Sequence, residues 1–334
     1  MSTSVAGAVA PRRRSALTAF ASSWASQLGI TVAFLALWLT FIIAAPTTFT
    51  SDLIYISFAR TTPYTAIVAL FLTMVIIAGD MDLSFGSEMS LSMVGFVWVW
   101  QATGSAELGF VAALAVGAAC GLFNGVVVTV VGIPSLIVTI GTMFLFQGLT
   151  LILMNGRSIP LVTTNSSPTY ATLVGQIGSV PMQFIWLVVL AVVAWLLLNR
   201  HRLGQNAYVV GDNLQAAGLM GIPIRQTRVA LFALVGMSAA VAGVMNSLAI
   251  NNFYLQTGSG YLLPTIAAVF VGGTSVFGGR GTIYGTFLGA FMIGGIQAGI
   301  VAAGLTDYYT QAIYGAVILI AVAIHAVLQK RFEH

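Results

Sequence analysis

Long apolar runs, almost free of charge, recur along the whole chain, and they constrain its fold more than any other feature. A hydrocarbon core about 30 Å thick is crossed by roughly 20 helical residues. Runs near that size lie at 28–45, 62–79, 84–101, 108–131, 134–154, 181–198, 228–250, 261–276, 282–303 and 309–328. Only 6% of the 334 residues are charged and 58% are hydrophobic, whereas a soluble domain carries about a quarter of its residues as charges. Too few charges remain to keep a soluble surface wet. The expected fold class is an all-α integral membrane protein of about ten transmembrane helices. The 36 glycines fit it, because small residues let helices approach closely where lipid removes the usual drive for packing.

The basic residues fall between or beyond the apolar runs, at Arg12 to Arg14, at 200–228, and at Lys330 with Arg331. Such placement follows the positive-inside rule. It argues against a nucleic-acid face, for which the charge would line one surface. With residues 1–27 as a cytoplasmic N-terminal tail, six crossings bring the chain back inside at Arg200. Four more leave 329–334 as a cytoplasmic C-terminal tail. A single permease domain is therefore expected over 28–328, with a cytoplasmic loop at 199–228. Spans two to five and seven to ten would enter from opposite sides, as inverted repeats do. The third and eighth spans are short and flanked by glycine-rich turns, so either can be re-entrant or broken.

Four segments carry functional candidates. In the first, AGDMDLSFGSE at 78–88, three carboxylates sit between apolar spans, where charge is expensive. Asp80, Asp82 and Ser84 read as path-lining groups at an unwound joint that ends near Gly86. Alternatively, Asp82 or Ser84 caps the next helix and Asp80 is solvated. The second, 117–148, repeats glycine at 117, 121 and 125, a face for close packing, and Pro134 suits the opening of the next helix. Its Asn124, Thr139 and Thr142 either face a passage or hydrogen-bond between helices.

In the third segment, 199–228, Asp212 or Asn213 is placed to cap a short helix through Gln215, Ala216, Ala217 and Leu219. Gly221 and Pro223, flanking Ile222, would stop it. Such an element is a docking knob for a soluble partner or an interfacial helix resting on headgroups. The fourth, GGTSVFGGRGT at 272–282, is a tight joint built on Gly272, Gly273, Gly278 and Gly279 with the lone Arg280. A phosphate loop needs a lysine after its last glycine, and the only lysine is Lys330. The three histidines show no zinc spacing, and the single cysteine, Cys120, has no partner for a disulfide, so no metal or catalytic centre is expected.

Together the blocks GDMDLSFGS at 79–87, GLFNGVVV with GIPSLIVTIGTM and QG across 121–148, LGQNAYVVGDNLQAAGLMGI at 203–222 and IAAVFVGGTSVFGGRGTIYGTFLGA at 266–290 resemble the permease subunits of bacterial ABC importers for simple sugars. They occur in that family's order and span most of the chain. The resemblance implies a type II importer-like fold in the bacterial inner membrane. It also implies a second permease subunit, same or different, two cytoplasmic ATPases that bind ATP and Mg, and a periplasmic sugar-binding protein. On that analogy 211–223, beginning at Gly211, is the coupling helix. This chain departs from the pattern at Asp80, where a second glycine is usual, at Gln147, where a basic residue is common, and at Gln297, where an asparagine is frequent. The extra carboxylate of Asp80 suggests an atypical sugar or polyol, or pairing with an arginine such as Arg280. Two other transport readings stay open: an ion-coupled secondary transporter whose carboxylates are the coupling sites, and an ABC permease for branched-chain amino acids or nucleosides.

Overall fold

The computed structural model describes residues 16–302, 304 and 308–332, with side-chain surroundings over 27–302, 304 and 309–323. Arg12 to Arg14 and His334 lie outside the described residues, as do the side chains of His325, Lys330 and Arg331. The principal helices are α1 (Ala16–Ala44), α2 (Asp52–Ile77), α3 (Phe85–Thr103), α4 (Ala106–Val126), α5 (Ser135–Leu153), α6 (Met182–Asn199), α7 (Arg202–Asp212), α8 (Leu214–Leu219), α9 (Ile224–Ala249), α10 (Leu262–Val271), α11 (Ile283–Ala302) and α12 (Tyr308–Phe332). Among the described residues, seven stretches are long and apolar enough to cross a membrane, on α1, α2, α4 with its extension to Val131, α5, α6, α9 and α11. The protein is an all-α membrane protein.

Burial separates an inner layer from an outer one. In α2, 89% of the apolar window is buried, and in α9 61%, against 28% in α5 and 22% in α6. Helix α2 is apolar all round, the pattern of a helix enclosed by others. Helix α3 has the length to cross but too polar a composition, because it carries Ser87, Glu88, Ser90 and Ser92; all four are buried within the bundle. The polar side chains of α3 are thus sheltered by protein instead of facing lipid.

Helices α4 and α9 run antiparallel along a seam of glycines. A Cβ on Gly117 would meet the Gly236 carbonyl oxygen at 2.3 Å, and one on Gly121 would meet that of Phe232 at 2.2 Å; one on Gly125 would lie 2.7 Å from Val229 Cα. Close approach, not side-chain burial, holds this pair. Past Val126 the helix widens into a π turn at Val127–Val131 and stops at Gly132. Between α5 and α6, the polar stretch forms a pair of short strands, Gln176–Ile177 with Val180–Pro181. Its Ile159–Pro160 also pairs antiparallel with Asn252–Phe253, Ile159 opposite Phe253.

Several expected boundaries shift. The second span begins at Asp52 instead of residue 62, with Ser51 accepting a bond from the Leu53 amide at 3.3 Å; a purely apolar window stops short of the polar first turns. The eighth is broken: α10 is ten residues long and ends at Gly272, and Gly273 turns with φ +85°. Helix α1 is already formed at Ala16 and α12 runs to Phe332, while the apolar window of α1, Gln27–Ala44, coincides with the expected first span. The expected loop 199–228 is mostly helical, as α7 and α8.

The glycine seam makes a contrast testable by thermal melting in detergent. Gly121→Val should lower stability by about 1–3 kcal/mol through overpacking. Gly141→Ala, whose Cβ meets nothing within 4 Å, should be neutral or raise it by up to about 1 kcal/mol. Equal melting temperatures would contradict the seam.

Candidate functional site

Two helix breaks meet at one end of the bundle. Helix α2 stops at Ile77 and gives way to irregular chain as far as Ser84; α10 stops at Val271, before the turn 272–282. The Gly279 amide donates to the Ile77 carbonyl at 2.8 Å, tying one joint to the other. Positive φ at Gly79, Gly273, Gly278 and Gly279 makes these turns possible. The last turn of α7 closes on both joints through Gly211, where a Cβ would stand 1.7 Å from the Ile77 carbonyl oxygen and 2.8 Å from the Gly279 nitrogen. Only glycine allows that contact. The Tyr208 hydroxyl of α7 donates to the Gly281 carbonyl at 2.8 Å.

Asp80 leaves this junction toward α9. Arg228 grips it with two hydrogen bonds, Nε to Oδ2 and Nη2 to Oδ1. Asp80 is almost fully buried and Arg228 is partly buried. The expected pairing with Arg280 is therefore replaced: Arg280 is exposed and contributes its backbone carbonyl, which accepts from the Ser275 amide at 2.9 Å. Nor is Asp80 solvated, as a plain turn would have it.

Beyond Asp80 lies a buried polar cluster. Asp82 Oδ1 accepts from the Ser84 amide at 2.8 Å and the Ser84 hydroxyl at 2.7 Å. Ser84 has one hydroxyl proton, and Glu88 Oε1 is farther off, at 3.2 Å. Asn124 on α4 donates from Nδ2 to Ser84 Oγ at 2.8 Å and Glu88 Oε1 at 3.0 Å. All four residues are fully buried, and Asp82 Oδ2, Glu88 Oε2 and Asn124 Oδ1 have no partner. The cluster is short of donors, which is costly in a dry interior. On the other side of the same strand, Ser135 Oγ accepts from the Met81 amide at 3.1 Å and the Thr139 hydroxyl donates to the Met81 carbonyl at 3.3 Å. Thr142 reaches only the Thr139 carbonyl within its own helix. Asn124 thus bonds between helices, and Thr139 bonds α5 to the irregular segment before α3. Pro134 stands just ahead of α5, as expected.

The structure brings Asp80, Asp82, Ser84, Asn124 and Thr139 around one joint. Glu88 and Arg228 complete it, though the sequence did not single them out as site residues; Arg228 is 148 positions from its partner, and no local pattern signals such a pair. None of the six path candidates lines either of two surface openings. One, of about 280 Å³, lies between α3, α5 and the segment following α9. The other, of about 740 Å³, is an apolar groove between α1, α6 and α11.

The third segment forms as expected in its main feature. Asn213 Oδ1 caps α8 by accepting from the amides of Gln215 and Ala216, both at 3.0 Å. Gly221, with φ +72°, ends it, and Pro223 precedes α9. Asp212 instead closes α7. Ala217 is buried, while Leu219 and Met220 protrude, 92% and 69% exposed. From sequence, Leu219 is only a helix residue and Met220 is left out; an apolar pair just before a Gly-Ile-Pro stop is the signal for their exposed role.

Residues 54–322 match the family model described as branched-chain amino acid transport system / permease component. The chain belongs to this family. It is a permease component of a transport system, not an enzyme. It is 33% identical over 270 residues, 80% of its own length and 81% of the relative's, to the autoinducer 2 import system permease protein LsrD of Salmonella typhi. Against the ribose import permease protein RbsC of Escherichia coli K12 the figure is 31% over 307 residues, covering 91% of this chain and 95% of the relative. No solved structure matches the permease significantly.

Removing one partner of a buried pair leaves the other charge stranded. Asp80→Asn should cost toward the lower end of about 3–5 kcal/mol, because Arg228 keeps some contact with water. A double-mutant cycle with Arg228→Gln should give a coupling energy of about 1–3 kcal/mol, read from melting in detergent; additive losses would disprove the pair.

Proposed function

We propose that this permease is the membrane subunit of an ATP-driven importer that carries a monosaccharide or related polyol across the bacterial inner membrane. In this reading ten helices cross the bilayer in a type II importer-like arrangement, and both termini are cytoplasmic. Two permease subunits complete the passage. Two ATPases on the cytoplasmic side bind ATP and Mg, and a periplasmic binding protein delivers the cargo. The sugar class is supported by relatives that import ribose and autoinducer 2; the family description instead names branched-chain amino acids, which makes those the second reading to test.

The observation that carries the mechanism is the rigid path from α8 to the broken helices. An ATPase docked on Leu219 and Met220 would push on a helix anchored by Asn213. That helix follows the turn in which Gly211 touches Ile77 and Gly279. On its other side the chain continues into α9, where Arg228 holds Asp80. Closure of the ATPases would thus reach both joints at once. A structural change of this kind acts by moving packed elements between discrete arrangements. The residues 211–223 serve as the coupling segment.

Two measurements test the reading. Uptake into proteoliposomes should require ATP, the ATPase and the binding protein; uptake driven by a proton or sodium gradient alone would assign the protein to secondary transport. Leu219→Asp should abolish most of the ATP-dependent uptake and weaken ATPase association. It should leave the melting temperature unchanged, since an exposed side chain contributes within about 0.5 kcal/mol.

A further inference from the structure

We propose that the cavity of about 280 Å³ between α3, α5 and the segment after α9 is a contact site for an uncharged polyhydroxy solute. The proposal rests on the permease reading and adds to it where the cargo touches the chain. Ser87, Gln147, Gln256 and Ser259 supply the polar lining, and Met143 with Phe144 supplies the apolar part.

The walls are held in place. Backbones of α3 and the following segment touch at Gly86 and Gly258, where a Cβ on Gly258 would lie 1.8 Å from the Gly86 carbonyl oxygen. From α5, Gln147 Nε2 donates to the Leu255 carbonyl at 3.0 Å. This bond fixes the amide and leaves its Oε1 as an acceptor. Ser87 spends its proton on the Ser84 carbonyl at 2.7 Å, so its free lone pairs accept. Gln256 is exposed, bringing donors and an acceptor, and Phe144, 69% exposed, brings an apolar ring. Amides and hydroxyls beside an aromatic face suit a molecule with hydroxyls on its rim and C–H groups on its faces.

Size and charge narrow the class. The volume, about 280 Å³, lies just below the roughly 300–1,000 Å³ of sites for drug-sized ligands, so the occupant is a small solute. None of the lining residues is charged. A zwitterionic amino acid or a phosphorylated sugar would bring charge without a counter-charge, which burial penalises. The nearby carboxylates are turned away: Ser84 and Glu88, four apart on one face of α3, both bond to Asn124 of α4. Ser87 occupies the neighbouring face. Gln147, an uncharged amide, contributes to the neutrality.

Saturation-transfer NMR on the full-length chain in detergent tests the site with D-ribose as probe and L-leucine as the charged comparison. Transfer to ribose should exceed transfer to leucine. It should fall by about threefold in Gln256→Met and about tenfold in Gln147→Met with Gln256→Met, the loss expected for one neutral hydrogen bond each. Gln256→Met breaks no bond within the fold, so its loss cannot be ascribed to unfolding. Absent transfer to ribose, equal transfer to leucine, or unchanged transfer in both variants would overturn the site. ATP-dependent uptake by the assembled transporter, measured alongside, separates the two levels. Uptake that persists while ribose contact fails removes the cavity and keeps the permease, whereas gradient-driven uptake removes the permease reading itself.

Discussion

Where a helix ends inside an apolar bundle, its free N–H and C=O groups have no water to turn to and must find partners in protein. This chain breaks two helices near one level, α2 at Ile77 and α10 at Val271, and solves both breaks by joining them. Gly279 donates to the Ile77 carbonyl, Asp80 donates from its own amide to the Val75 carbonyl at 3.1 Å, and Tyr208 covers the carbonyl of Gly281. The arrangement depends on Gly211, whose missing side chain lets α7 sit against the junction. Remove that approach and the backbone groups of two joints lose their cover together.

Once the joints are closed, charge can be placed beside them. Arg228 meets both oxygens of the buried Asp80, and breaking such a pair would strand the remaining charge. The pair spans from the first joint to the start of α9, on the far side of the exposed tip of α8. The same residues that satisfy a structural debt therefore tie a surface knob to the interior. The cluster of Asp82, Ser84, Glu88 and Asn124 lies one step deeper and keeps three acceptor oxygens without donors, so it is the least satisfied part of the interior.

What local sequence made legible were features governed by neighbours along the chain. Asn213 caps α8, Gly221 ends it, and Pro134 stands ahead of α5, because caps and stops act within a turn or two. The glycines at 117, 121 and 125 mark a packing face by their spacing alone. Boundaries were less legible where composition misleads. Asp52 and Arg60 hid the first turns of α2, and the span expected up to residue 276 overran the break at Gly272 and Gly273, although the glycine-rich joint there was itself legible.

By itself, the sequence determined that the chain lives in lipid, roughly where its helices lie, and that a short capped helix follows the sixth span, since hydropathy and capping are properties of contiguous residues. Tertiary structure alone decided that Asp80 meets Arg228 and not Arg280, that Glu88 joins Asp82, and that Gly211 is the keystone of the junction. These are contacts between segments up to 148 residues apart. They are chosen by how closely whole helices can approach and by which buried charge a stranded partner can reach, and neither condition leaves a trace in local sequence.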